Sequence, residues 1–227
     1  MRATFGVLCL LLGSTAALLA QGSAGQIAAP RGTATVGIWT GVSWHAPGPS
    51  GVQGTGDWEF VLVALRYRRV LLSSSRIALA YTADLIPVAV VTDNSPEAGP
   101  LRVAGGGHVA TTAGAFALVG GRLKGNTAFG WGAAPAGVEV SVSMTRRFGI
   151  VVGGTAGFLT FSKPVPFANA RKLNATLDVG VGFELAVGRG WRAIGGYKFH
   201  HLSNAGTGDF NPGLNASVWY LGTLLER

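Results

Sequence analysis

The stretch from Leu173 to Val187 reads LNATLDVGVGFELAV and alternates between apolar and polar or small residues along its length. One face carries Leu173, Ala175, Leu177, Val179, Val181, Phe183, Leu185 and Val187. The other face carries Asn174, Thr176, Asp178, Gly180, Gly182 and Glu184. Because successive side chains of a β-strand point to opposite sides, this pattern predicts a strand with one apolar face. The segment is long enough to cross a bilayer.

Similar segments recur along the rest of the chain. Alternation is clear from Ala34 to Trp44, from Ile77 to Leu85 and from Val138 to Met144. The segments from Trp58 to Val70 and from Arg146 to Phe161 are less two-sided, and those from Trp191 to Asn204 and from Asn215 to Leu225 complete the set. These eight segments predict an all-β fold, an eight-stranded antiparallel transmembrane β-barrel of the outer-membrane type, with an interior filled by side chains.

The composition favours the same class. The sequence is 48% hydrophobic and 12% charged, with a mean hydropathy of +0.37, which is too apolar for an ordinary soluble domain. No long apolar run follows the first 24 residues. A chain that is apolar on average without such runs must distribute its apolar residues in alternation, as membrane barrels do.

Residues 1–24 have the three parts of a secretory signal peptide. A basic start precedes an apolar run from Phe5 to Leu12, and small residues follow as far as Ala24. The run is short for a membrane helix, so we expect cleavage near residues 20–24, leaving residues 25–227 as a single barrel domain. The only cysteine, Cys9, lies in the signal, which leaves the mature protein without thiol chemistry or disulfides.

The predicted connections between strands sort by length. Three are short, at residues 73–75, 145–147 and 188–190, and four are long, at residues 45–57, 92–137, 162–172 and 205–214. Outer-membrane barrels have short periplasmic turns and longer external loops. With the N-terminus in the periplasm, the seventh strand should therefore end at the outer leaflet of the outer membrane of a Gram-negative-type bacterium.

The end of this seventh strand reads Phe199-His200-His201-Leu202-Ser203-Asn204-Ala205-Gly206. Residues two apart in a strand share a side, which places His201, a potential base, beside Ser203, a potential nucleophile. Parity puts both on the lipid-facing side with Trp191, Ala193, Tyr197 and Phe199. The lumen should receive Arg192, Lys198, His200 and Asn204, with Asp84, Glu139, Asp178 and Glu184 to neutralise the cations. Hydrogen bonding of His201 and Ser203 to lipid headgroups is the alternative to a reactive site.

The run from Tyr197 to Gly206, followed by Asn211-Pro212-Gly213-Leu214-Asn215, resembles the C-terminal signature of the PagL-type lipid A 3-O-deacylases, relatives of acyloxyacyl hydrolases. The resemblance implies an outer-membrane serine esterase that removes the ester-linked acyl chain at position 3 of lipid A. It implies Ser203 as the nucleophile, His201 as the general base, and backbone amides around Asn204 and Gly206 as oxyanion donors. It implies no cofactor, and an active site that faces the outer leaflet.

One position departs from the family signature. The family has a glutamate twelve residues after the serine, whereas this chain has Asn215. Asparagine can accept a hydrogen bond from an imidazole and hold its tautomer, but it cannot stabilise the imidazolium by charge. Asp209, in the intervening loop, is the nearest acid that could take over this role.

The formal charge of +8 raises the question of an anionic partner. The basic residues of the predicted external connections are Arg102, Arg122, Lys124, Lys163, Arg171 and Lys172. They could bind lipid A phosphates, although solvated loop charge is the alternative. Tyr197 and Phe199 are further candidate substrate contacts. Export and sparse charge argue against nucleic acid, and the histidines lack zinc spacing, so no metal is expected.

Two functions of different classes are compatible with the sequence. The first is a lipid A esterase whose partners are lipopolysaccharide and the outer membrane, with the pairing of two copies left open. The second is a non-catalytic small barrel of the OmpA or OmpX kind, with a role in adhesion or envelope stability. Substitution of His201 or Ser203 would distinguish them, because only the esterase depends on these side chains.

Overall fold

A computed structural model describes residues 29–46, 58–94, 127–166, 170–207 and 213–227 of the chain. These residues form eight β-strands that close into one barrel. The strands are β1 (Ala34–Ala46), β2 (Trp58–Ser73), β3 (Ile77–Asp93), β4 (Thr127–Ser143), β5 (Phe148–Phe161), β6 (Leu173–Gly188), β7 (Trp191–Ser203) and β8 (Leu214–Glu226). The predicted signal peptide and Asp209 lie outside the described residues.

Every strand pairs antiparallel with its neighbours in the sequence, and β1 closes the barrel against β8. The connections at one end of the barrel are short, and we call this the short-turn end; the opposite end, with residues 47–57, 94–126, 162–172 and 204–213, is the long-connection end. The predicted fold class is confirmed. In the described part of the chain, no helix has the length and apolar character needed to span a membrane.

Strands β3 and β4 are longer than the sequence pattern predicts. Clear alternation covers only Ile77–Leu85 and Val138–Met144, whereas the structure extends β3 to Asp93 and starts β4 at Thr127, inside the predicted 92–137 connection. Pro135 and Pro87 lie in these added segments, and the β3–β4 pairing shifts register near both prolines. Bulges tolerate proline but interrupt the alternation of faces, so the alternation pattern does not detect these parts of the strands.

Apolar side chains cover the outside of the barrel. On β6, Leu177, Val179 and Val181 are 51%, 57% and 49% exposed, whereas Asp178 between them is 6% exposed. The same arrangement of exposed apolar and buried charged side chains occurs on β3, where exposed Leu85 follows buried Asp84. An apolar exterior over a charged interior is the arrangement of a barrel whose outer surface meets lipid.

Among the described residues, four buried cations of the lumen pair with four of the buried acids. Arg66 holds Asp84 through two hydrogen bonds of 2.8 and 2.7 Å. Each of the other three cations has a different acid as a partner: Arg68 pairs with Glu139 at 2.7 Å, Arg192 with Glu184 at 3.2 Å and Lys198 with Asp178 at 4.0 Å. The predicted acids are confirmed in the lumen, while the inward-facing Arg66 and Arg68 were not anticipated. This balance matters because an unpaired buried charge is strongly destabilising.

An apolar cluster lies in the half of the lumen nearer the long connections. Its core includes Trp58, Phe60, Leu159, Leu202 and Leu214, all at most 2% exposed. Leu202, near the end of β7, and Leu214, the first residue of β8, point into the lumen, and their neighbours on the same strands face outward. A cavity of about 20 Å³ remains among the charged side chains, which is room for about one water molecule. The interior is thus a packed core.

Candidate active site

The candidate site lies on the outer surface where β7 ends and β8 begins. His201 pairs with Asn215 across these two strands, and Leu202 pairs with Leu214. Because the two leucines fill the lumen, strand alternation turns His201, Ser203 and Asn215 outward. All three are half-buried rather than fully exposed. The predicted outward placement of His201 and Ser203 agrees with this register.

Asn215 fixes the orientation of the His201 ring. The distance from His201 Nδ1 to Asn215 Oδ1 is 2.7 Å. An amide oxygen can only accept a hydrogen bond, so this contact places the imidazole proton on Nδ1 and leaves the Nε2 lone pair unprotonated. This is the tautomer that a general base requires. The predicted role of Asn215 as the residue that orients His201 is compatible with this geometry.

Gly213 lies beside the Cε1–Nε2 edge of the same ring. Its φ of +58° is in the left-handed region, and a Cβ atom built there would lie 3.1 Å from His201 Cε1 and 3.8 Å from Nε2. A side chain at position 213 would therefore crowd the ring next to the Asn215 contact. Strand alternation does not predict this proximity, although the Asn-Pro-Gly triplet that ends at Gly213 signals an unusual backbone.

Ser203 is the last residue of β7 and pairs with Ala175 of β6. It shares the outward face with His201, and strand geometry separates their Cα atoms by about 7 Å. Their side chains are not hydrogen-bonded to each other in this structure. Catalytic hydrogen bonds are often long without substrate and tighten when it binds, so rotation of the two side chains would have to complete this contact.

A tight turn follows Ser203. Asn204 Oδ1 accepts a hydrogen bond from the Gly206 amide at 3.0 Å, and Asn204 O accepts from Thr207 N at 3.0 Å and Thr207 Oγ1 at 2.7 Å. Ala205 and Gly206 both have positive φ, at 52° and 75°. Asn204 is buried, as its predicted inward parity requires. The Gly206 amide is already engaged, so it could bind an oxyanion only by releasing Asn204 Oδ1.

Of the predicted basic contacts, Arg171 is hydrogen-bonded to this turn. Its Nη2 donates to Thr207 O at 3.2 Å, which joins the β5–β6 connection to the turn after Ser203. Asn174 supports the connection from below, because its Nδ2 donates to the carbonyl oxygens of Arg171 and Lys172 at 3.2 and 3.3 Å. Lys172 is exposed and Lys163 is half-buried. Arg102, Arg122 and Lys124 lie outside the described residues.

An aromatic surface continues from His201 towards the middle of the barrel. Phe199 is 45% exposed, and Tyr197 packs edge-on against Trp219 with ring centroids 5.3 Å apart. The Tyr197 hydroxyl lies 3.0 Å from Ser217 Oγ. Tyr197 and Phe199 are candidate contacts predicted from the sequence, whereas Trp219 and Ser217 are not, because their contacts depend on the β7–β8 register. Among the described residues, no cluster of His, Cys, Asp and Glu could hold a metal ion.

A closed eight-stranded antiparallel barrel with an apolar exterior and a neutralised lumen defines an outer-membrane β-barrel. Comparison with protein families matches residues 105–223, more than half of the chain, to "Lipid A 3-O-deacylase (PagL)". The chain belongs to this family. Fold and family together support a location in the outer membrane. A comparison with curated protein sequences gave no significant match.

Solved structures share the architecture. The crystal structure of the outer membrane enzyme PagL is 14% identical, with 83% of this chain and 98% of that chain covered and a TM-score of 0.51. The Neisserial surface protein A is 9% identical, with coverage of 85% and 96% and a TM-score of 0.44. Ail of Yersinia pestis is 10% identical, with coverage of 87% and 100% and a TM-score of 0.42. At such identities the likeness to PagL shows the fold alone.

Proposed function

We propose that this protein is a serine esterase that removes the ester-linked 3-O acyl chain from lipid A. The observation that carries the proposal is the 2.7 Å contact between His201 Nδ1 and Asn215 Oδ1, on the same outward face as Ser203, in a member of this family. Two polar side chains and a histidine on a lipid-facing surface are costly unless they are used. Ester hydrolysis uses such a group.

In the proposed reaction, His201 Nε2 takes the proton from Ser203 Oγ as this oxygen attacks the ester carbonyl carbon. The tetrahedral intermediate collapses, and the sugar oxygen leaves with the proton from His201. Water, activated by His201, then hydrolyses the acyl-enzyme and releases the fatty acid. Backbone amides of the Asn204–Gly206 turn would stabilise the oxyanion, a contribution of roughly 3–4 kcal/mol per donor.

The proposed orientation places the long-connection end at the outer leaflet. Short turns face the periplasm in barrels of this class, so the ends of β7 and β8 would meet lipopolysaccharide where its acyl esters lie. Arg171, bonded to the turn after Ser203, would face a lipid A phosphate. Phe199 and Tyr197 would contact acyl chains. The ester could then reach Ser203 without extraction of the lipid from the membrane.

The test is release of 3-hydroxy fatty acid from lipopolysaccharide by the purified barrel in detergent, measured by mass spectrometry. Ser203→Ala should abolish release. Ser162→Ala removes an exposed hydroxyl at the same end of the barrel, where Ser162 Oγ accepts from Phe129 N at 3.2 Å, and should leave release unchanged. Equal activity of Ser203→Ala and wild type would refute the assignment of the nucleophile. Absence of release from every protein would favour the non-catalytic barrel.

A further inference from the structure

The short-turn end of the barrel carries a ring of arginines that the proposed esterase does not use. We call it the arginine collar, and all its members are exposed: Arg31, Arg69, Arg76, Arg146, Arg147, Arg189 and Arg227. These are half of the arginines in the sequence, and no lysine is among them. The four lysines lie elsewhere, at positions 124, 163, 172 and 198.

Backbone hydrogen bonds join the segments that carry the collar into a continuous rim. Arg76 O accepts from Ser143 N at 2.7 Å, and Arg147 O accepts from Ala186 N at 2.7 Å. On the other side of the rim, Gly190 O accepts from Glu226 N, Ala34 O accepts from Arg227 N, and Val70 O accepts from Gly32 N, at 2.9–3.0 Å. The arginines therefore encircle the barrel at one level.

No Asp or Glu side chain of the described residues pairs with a collar arginine, and the one such acid at this rim, Glu226, binds Arg192 of the lumen at 3.0 Å. Asp84, Glu139, Asp178 and Glu184 pair with cations inside the barrel instead. The collar is a single-sign patch that attracts anions.

The position of Arg69 identifies the level of this patch. It lies on the outward face of β2 between exposed Tyr67 and Leu71, and it pairs with Tyr81 of β3. A cation on the lipid-facing surface is tolerated only near the headgroups. Tyr67, Tyr81 and Trp191 supply the aromatic side chains typical of the same interface. The anions within reach of the collar are therefore lipid phosphates.

We propose that the arginine collar binds anionic phospholipid headgroups of the leaflet at the short-turn end. Guanidinium groups bind phosphate oxygens in pairs, which favours arginine over lysine at such a site. Each arginine near a membrane surface is expected to strengthen binding about fivefold. The proposal rests on the membrane barrel and is independent of the esterase.

Native mass spectrometry of the barrel, released from mixed micelles that contain phosphatidylglycerol or phosphatidylcholine, tests this proposal. Wild type should retain phosphatidylglycerol in preference to phosphatidylcholine. The variant Arg146→Gln/Arg147→Gln/Arg189→Gln should retain about 100-fold less phosphatidylglycerol, because three contacts of about fivefold each are lost. Gel mobility before and after heating confirms that each barrel is folded.

The charge-conserving control Arg146→Lys/Arg147→Lys/Arg189→Lys keeps three cations at the same positions and should retain phosphatidylglycerol within a few-fold of wild type. A loss in this variant equal to that in the Gln variant would overturn the proposal, because it would show that the charge of the collar does not hold the lipid. So would retention of phosphatidylcholine equal to that of phosphatidylglycerol in wild type. The Ser203→Ala background gives the same readout without catalysis, which separates this result from the proposed activity.

Discussion

His200 and His201 are neighbours in the sequence but belong to opposite sides of the barrel wall. His200 is buried in the lumen, where its Nδ1 bonds to Asp178 and its ring lies 4.9 Å from that of Phe60. His201 faces outward with an amide partner, Asn215, and Ser203 on the same side. The histidine with a carboxylate partner is thus the one that no lipid ester can reach.

This difference shows that a histidine–carboxylate pair does not by itself mark a catalytic site. The Asp178–His200 contact joins β6 to β7 across the strand pair, and Thr155 of β5 donates to the same carboxylate at 2.9 Å. These bonds hold the long-connection end of β7 from the lumenal side. On the outer surface of the barrel, the same strand carries His201 and Ser203. His200 is enclosed by the barrel wall, whereas His201 has the access that the proposed catalysis needs.

The largest expected effect separates the two histidines. His201→Ala should lower ester hydrolysis by about 10⁴-fold, because a serine without its base is a weak nucleophile. His200→Ala should leave the rate per folded barrel within a few-fold and instead weaken folding. Fatty acid release and urea unfolding in detergent measure the two effects. A loss of activity in folded His200→Ala as large as that in His201→Ala would contradict the prediction that only His201 takes part in the reaction.

The next largest effect is on stability and concerns Asp178, the lumenal partner of His200. Asp178→Asn keeps the volume of the side chain but leaves His200, Lys198 and Thr155 without a carboxylate, and should reduce the free energy of unfolding by about 3–5 kcal/mol. Glu59→Gln is the control, since Glu59 is only half-buried, and its effect should stay within about 0.5 kcal/mol. Equal stability of Asp178→Asn and wild type would show that the lumenal pair does not anchor β7.

Replacement of Asn215, the partner of His201, tests whether the absence of a negative charge there limits catalysis. Asn215→Glu introduces a carboxylate that can stabilise the imidazolium of His201, and should raise kcat at least about tenfold. Asn215→Gln has the same length without the charge and should give no gain. A rate for Asn215→Glu no higher than that for Asn215→Gln would mean that charge at this position is not limiting.

Alternation predicted most of the barrel because it depends only on neighbouring residues. It located β6 within one residue, and parity placed His201 and Ser203 on the outer face. It failed where the chain departs from regular pairing, as at Pro135 in β4. The Asp178–His200 and Tyr197–Ser217 contacts depend on the register between strands, which one strand does not encode. The contact of Gly213 with His201 needs a left-handed backbone at the end of a loop.

The smallest expected effect tests the contact between Gly213 and the His201 ring. Gly213→Ala adds a Cβ atom 3.1 Å from His201 Cε1, which should displace the ring by a few tenths of an ångström and lower kcat about tenfold with little change in KM. Gly32→Ala is the matched control, because Gly32 has a φ of +89° but open space around the added Cβ. Both variants carry the backbone strain of a left-handed alanine, and only Gly213→Ala should alter catalysis. If the two variants lose activity equally, strain rather than ring position accounts for the effect, and the outer histidine is held by Asn215 alone.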